Sequence, residues 1–212
     1  MVCRICIVGT MQSGSTRLFN LVRLLYELEG KSVLSRWKYE NDDEKDYDII
    51  ISKVHDCNMD YLKNYDVVLL PVRNILDAGI SSKKRFGKEI KKSCINNINL
   101  INKFKNRSDM IFVYERYSLS YIKRLCNKLG MKEKSNIEII GVMRKLEEML
   151  ISKEIVKKDN FKNEEYKVSL LSQAHNTSGG KSNKYVNELS MSELNDLMKN
   201  EKIRNFINNY EY

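Results

Sequence analysis

The stretch CIVGTMQSGSTRLFN, from Cys6 to Asn20, constrains the fold more than any other part of the chain. An apolar run, Ile5 to Val8, ends in a hydroxyl-rich turn bounded by Gly9 and Gly14. An amphipathic run follows, with Leu18, Leu21, Val22, Leu25 and Leu28 on one helical face and Gly30 as its stop. This order predicts a strand, a phosphate-cradling loop and a helix. The spacing of Gly9, Gly14, Ser15 and Thr16 is a Walker A pattern with serine at the lysine position. Backbone amides from Ser13 to Thr16 are expected to converge on an anion at the positive end of the helix, and the hydroxyls of Ser13, Ser15 and Thr16 add donors.

Further strands are predicted at Ser32–Ser35, Asp48–Lys53, Val67–Val72, Met110–Tyr114 and Ile137–Val142. Helices are predicted at Met59–Asn64, Leu76–Asn106, Ser118–Leu129, Lys145–Glu154 and Ser192–Asn208. Strands such as Ile49-Ile50-Ile51 and Val67-Val68-Leu69-Leu70 are apolar on both faces, as in a parallel sheet covered on both sides. The fold class expected is α/β, a three-layer P-loop-type domain with a central, mostly parallel sheet and helices on both faces. It is expected to span residues 1–212 as one domain. The polar segments Arg36–Asp46, which contains Trp37 and Tyr39, and Ser152–Tyr166 read as surface loops or lids.

The formal net charge is +9. The basic residues are spread among acids with no basic tail, which favours an anionic pocket over a nucleic-acid surface. No apolar stretch approaches the ~18 residues of a membrane span, and the first residues are too mixed for a signal peptide. Of the five cysteines, Cys3 and Cys6 are spaced C-x-x-C, but they lie inside the first strand and have no second such pair. They read as buried structural thiols rather than metal ligands, and a reducing, cytoplasmic location is expected.

Two further segments carry chemistry. Lys53-Val54-His55 follows an apolar strand, and parallel sheets hold ligands at the carboxyl ends of their strands. Two residues apart, Lys53 and His55 face one side, and histidine is a general base near neutral pH. The second segment is Val67 to Ser82. A buried strand ends at Arg73, and Ser81 lies two helical turns beyond it. Arginine offers a planar fork to a phosphate and serine another donor.

In this order, these pieces resemble the sulfotransferases that use 3′-phosphoadenosine 5′-phosphosulfate (PAPS). The resemblance implies that Gln12-Ser13-Gly14-Ser15-Thr16 is the 5′-phosphosulfate loop. It implies that His55 is the catalytic base with Lys53 beside it, and that Arg73 and Ser81 hold the 3′-phosphate. Tyr114, in Val113-Tyr114-Glu115, corresponds to a tyrosine near the adenine, and Arg17 stands where the family has an adenine-side residue. The loop Ser178–Tyr185, with Lys181 and Lys184, corresponds to one that closes over the cofactor. The implied reaction transfers a sulfuryl group from PAPS to a hydroxyl or amine of a small-molecule or glycan acceptor, leaving adenosine 3′,5′-bisphosphate (PAP), with no metal and no nucleic acid involved. Gln12 replaces the family's loop lysine or arginine, and Ile75 its common proline or alanine. Two other readings stay open. One is a P-loop nucleotide or small-metabolite kinase with Thr16 and Glu115 as magnesium contacts, which the absent lysine opposes. The other is a non-catalytic binding relative, which Gln12 favours.

Overall fold

The computed structural model describes residues 2–38, 44–151, 168–171 and 182–209. Five strands form one sheet: β1 (Cys3–Val8), β2 (Val33–Trp37), β3 (Ile49–Val54), β4 (Val67–Val72) and β5 (Met110–Val113). Their order is β2-β3-β1-β4-β5, and every pairing is parallel. Alternation along each strand feeds two cores. Ile5, Ile7, Ile51 and Leu69 pack with α1 (Ser15–Leu28), α5 (Leu119–Lys128) and α6 (Asn136–Ile151). Cys6, Val8, Val68 and Leu70 pack on the other face. There they meet α2 (Met59–Leu62), α3 (Ile75–Phe86) and α4 (Ile90–Phe104). Two C-terminal helices, α8 (Met191–Lys199) and α9 (Glu201–Asn209), join that layer, after the short α7 (Tyr185–Glu188). The three-layer α/β fold follows from strands that are apolar on both faces. Cys3 and Cys6 fall in opposite layers, and Cys6, Cys57, Cys94 and Cys126 are buried thiols.

Three expected elements are corrected. Ile137–Val142 is not a strand; it begins α6, whose Ile139, Val142 and Leu146 enter the core at helical spacing. Its start is marked by a capping box: Glu138 N donates to Ser135 Oγ (3.3 Å) and Ser135 N to Glu138 Oε2 (2.8 Å). The helix expected over Leu76–Asn106 breaks into α3 and α4. Gly87, at φ 65°, ends α3 in the left-handed conformation, and its N–H bonds Lys83 O at 2.8 Å. The helix expected over Ser192–Asn208 breaks at Asn200 into α8 and α9.

Pairing of β1 with β4 ends at Ile7–Leu69, whereas β1 stays paired with β3 as far as Val8–Val54. Beyond Leu69 the two strands part at their carboxyl ends, which opens the crevice where doubly wound sheets bind ligands. Pro71, with no N–H to give, lies past the last β1 partner. Among the described residues, no helix is long and apolar enough to cross a membrane.

Candidate active site

The turn between β1 and α1 fills this crevice. Gly9 must be glycine, since a Cβ there would stand 2.8 Å from Pro71 Cγ and 2.7 Å from Ser15 Cβ. Ser13 braces the turn: its Oγ and its N–H both donate to Thr10 O, at 2.8 and 3.3 Å. Gln12 (φ 64°) and Gly14 (φ 81°) both take left-handed backbone, and Gly14 starts α1. No side chain caps α1 and no acid lies in its first turn, so its leading amides face the crevice with the positive helix end behind them.

Lys53 and His55 meet at this loop from β3. Lys53, 2 % exposed, donates from Nζ to Thr16 Oγ1. Burial, with the charge of Arg85 adding, lowers the Lys53 pKa to about 7. His55 Nδ1 lies 2.7 Å from Gly9 O. A carbonyl can only accept, so Nδ1 carries the proton and Nε2 keeps its lone pair. Burial, then the neighbouring Lys53, pulls the His55 pKa down to about 4, with Arg85 again contributing. The ring of Trp37, from the end of β2, packs edge-on against His55 (centroids 5.0 Å apart) and lies 5.2 Å from Lys53 Nζ.

Arg73 follows β4 and is 7 % exposed. Its guanidinium lies 4.9 Å from the centre of the Tyr114 ring and 3.9 Å from Asp77 Oδ2. Asn74 caps α3, accepting from Leu76 N (3.0 Å) and Asp77 N (3.3 Å), and its own N–H donates to Glu115 Oε1 (3.0 Å). Ser81 is buried two turns along α3, and its Oγ has no hydrogen-bond partner among the described residues. The fully buried Asp77 accepts from Tyr185 N at 3.0 Å, which brings the C-terminal segment to this site. Lys184 is buried there too, its pKa lowered by burial and by Arg73 and partly restored by Asp77. Lys181 lies outside the described residues, as do Tyr39 and the segment 152–166.

Tyr114 joins the two halves. Its ring covers Gly14, where a Cβ would overlap it, and its hydroxyl accepts from Arg17 Nη1 at 3.2 Å. Arg17 also lies 4.3 Å from the Tyr117 ring centre and pairs with Glu147 of α6. Among the described residues, the site thus brings together Ser13 to Arg17, Lys53, His55, Arg73, Ser81 and Tyr114. The sequence motifs do not single out Trp37, Asp77 as a counter-ion, Glu147 or Arg85. Trp37 and Glu147 carry no local motif and are brought in by the sheet order and the helix packing, whereas Asp77 lies midway between Arg73 and Ser81.

No family model and no curated protein matches this sequence. Solved structures do. A mouse sulfotransferase, SULT7A1, complexed with PAP superposes with a TM-score of 0.66 at 14 % identity, over 98 % of this chain and 89 % of that one. Retinol dehydratase with androsterone and inactive cofactor PAP gives 0.68 at 12 %, over 99 % and 82 %. Retinol dehydratase with retinol and PAP gives 0.59 at 15 %, with the same coverage. The β2-β3-β1-β4-β5 sheet and its flanking helices are therefore the sulfotransferase fold.

Proposed function

We propose that the chain is a sulfotransferase that moves a sulfuryl group from PAPS to a hydroxyl or amine of a small-molecule or glycan acceptor. The observation that carries this reading is the meeting of Lys53 and His55 at the loop, with Nδ1 of His55 committed to Gly9 O and Nε2 left as a base. The structural likeness to PAP-bound sulfotransferases supports it.

The residues fit such a donor. The uncapped start of α1 suits its 5′ anion, and the orphaned Ser81 hydroxyl with Arg73 suits a 3′-phosphate. Tyr114 and Arg17 line the side where the resemblance puts the adenine, and Lys184, with Lys181 from the same loop, would close the 3′ end. Bound PAPS supplies the sulfuryl group and a stable leaving group. His55 Nε2 takes the proton of the acceptor. The Lys53 ammonium, held at Thr16, offsets the charge that grows beside the loop. The buried walls exclude water and fix the angle of approach.

Calorimetry with PAP and with ATP, each with and without magnesium, tests the reading. PAP is expected to bind without magnesium and more tightly than ATP. ATP binding that requires magnesium, with PAP inert, overturns it in favour of a kinase.

A further inference from the structure

The sulfotransferase reading leaves one charge unaccounted for. Gln12 is neutral where the resembling family has a loop cation, so the sulfuryl end of the site lacks a positive group from the loop itself. The last turn of α3 supplies a candidate. Asp77, Ser81 and Arg85 follow one another at four-residue spacing, so Arg85 continues the face that carries the 3′-site residues, one turn further along. Gly87 then stops the helix, and the chain turns back onto the loop. Lys88 Nζ lies 3.6 Å from Met11 Sδ, and Asn97 Nδ2 of α4 donates to Met11 O at 3.4 Å. The turn that follows α3, and α4 after it, are thereby held against the residue that precedes Gln12. Arg85 is half-buried, with its guanidinium 4.9 Å from the Phe86 ring.

We propose that Arg85 provides, from the end of α3, the positive charge to the sulfuryl group that Gln12 does not provide from the loop. Resting on the PAPS reading above, this names a further contact for the transferred group. The field of Arg85 is felt at both Lys53 and His55, the two residues placed around that group, whereas Arg73 acts instead on Lys184 and Glu115. The two arginines thus serve opposite ends of the donor. A planar guanidinium, always charged, suits a sulfate face better than the lysine it would replace.

PAPS and PAP differ at the sulfuryl group, so their affinities separate this role from general packing. Binding of each is measured by calorimetry for the natural chain, Arg85→Gln, Arg85→Lys and the double variant Gln12→Lys with Arg85→Gln. Arg85→Gln is expected to weaken PAPS about tenfold and PAP by less than about twofold, since one charge-assisted contact is lost. Arg85→Lys should retain most of the PAPS affinity, and Gln12→Lys should restore it in the Arg85→Gln background. Equal weakening of both ligands, or no change in either, overturns the proposal while leaving the sulfotransferase reading intact. Failure of the natural chain to bind PAP or PAPS overturns both.

Discussion

In the proposed transfer His55 serves as the base because its other nitrogen is occupied. With Nδ1–H given to Gly9 O, only Nε2 can receive a proton, and a pKa near 4 keeps it unprotonated through the neutral range. His55→Ala should therefore lower turnover by about 10²- to 10⁴-fold and leave PAP affinity unchanged. Turnover that survives the change removes His55 from the mechanism. Lys53 sets the opposite limit. With a pKa of about 7 in the free protein, its ammonium is lost as the pH rises past neutrality. The profile of kcat/KM should fall on the alkaline side near pH 7 and on the acid side only near pH 4, and Lys53→Arg should remove the alkaline limb. An acid limb near pH 6.5, the ordinary histidine value, would show that His55 is not held as described. Lys53, His55 and Arg73 were legible in the sequence as candidates because they lie at or just past the carboxyl ends of strands that are apolar on both faces, and Ser81 because it lies two helical turns beyond Arg73. Trp37 was not. It reaches His55 only because β2 lies beside β3, a pairing that no local pattern encodes.

Among the elements, the strand–loop–helix unit depends on one tight approach. Gly14 combines left-handed backbone with a Tyr114 ring that leaves no room for a Cβ. Gly14→Ala should destabilise the protein through both effects. The backbone part is about 1 kcal/mol. In a Tyr114→Ala background only that part should remain, so a double-mutant cycle by denaturant unfolding should show coupling between the two sites. Additive effects would mean that the ring does not bear on the loop. Helix α3 carries a second dependence. Asp77, fully buried, lies between Arg73 and Lys184 and receives the N–H of Tyr185. Asp77→Asn keeps the shape and removes a buried negative charge from beside Arg73 and Lys184, at a cost of about 3 kcal/mol. The variant should melt lower than the natural chain, and PAP should raise its melting temperature by more, because the bisphosphate restores the missing negative charge. An unchanged melting temperature would show that Asp77 is not their counter-ion. The misread elements share a physical cause. Ile137–Val142 is a short apolar run with β-branched residues, whose period is ambiguous until the Ser135–Glu138 box and Leu146 are read with it. The α3–α4 break rests on Gly87 alone, and a glycine inside a helical pattern does not show whether it will be a cap or be tolerated.

Across the whole molecule, the buried cations link folding, pH and ligand with opposite signs. Lys53 titrates near 10.4 in an unfolded chain and near 7 in the folded one. Between these values the unfolded state binds more protons, so the stability from this group is complete above the higher pKa and is lost as the pH falls to 7. His55 behaves alike between about 6.5 and 4, its contribution lost on acidification. From pH 7 to about 7.5, before the unfolded thiols ionise appreciably, Lys53 should dominate. Stability should then rise with pH by up to about 1.4 kcal/mol per unit, and Lys53→Met should flatten that slope. An anion at the loop reverses the preference, because it favours the charged ammonium and raises its pKa. PAP binding above pH 7 should therefore take up a proton, and PAP affinity should fall as the pH rises through the range in which the free protein grows more stable. Calorimetry in buffers of different ionisation enthalpy measures the uptake directly. The expected result is an uptake approaching one proton near pH 8.5 in the natural chain and none in Lys53→Met. Uptake that persists in Lys53→Met would assign the linkage to another cation of the site, with Lys184, also buried and lowered, as the next to test.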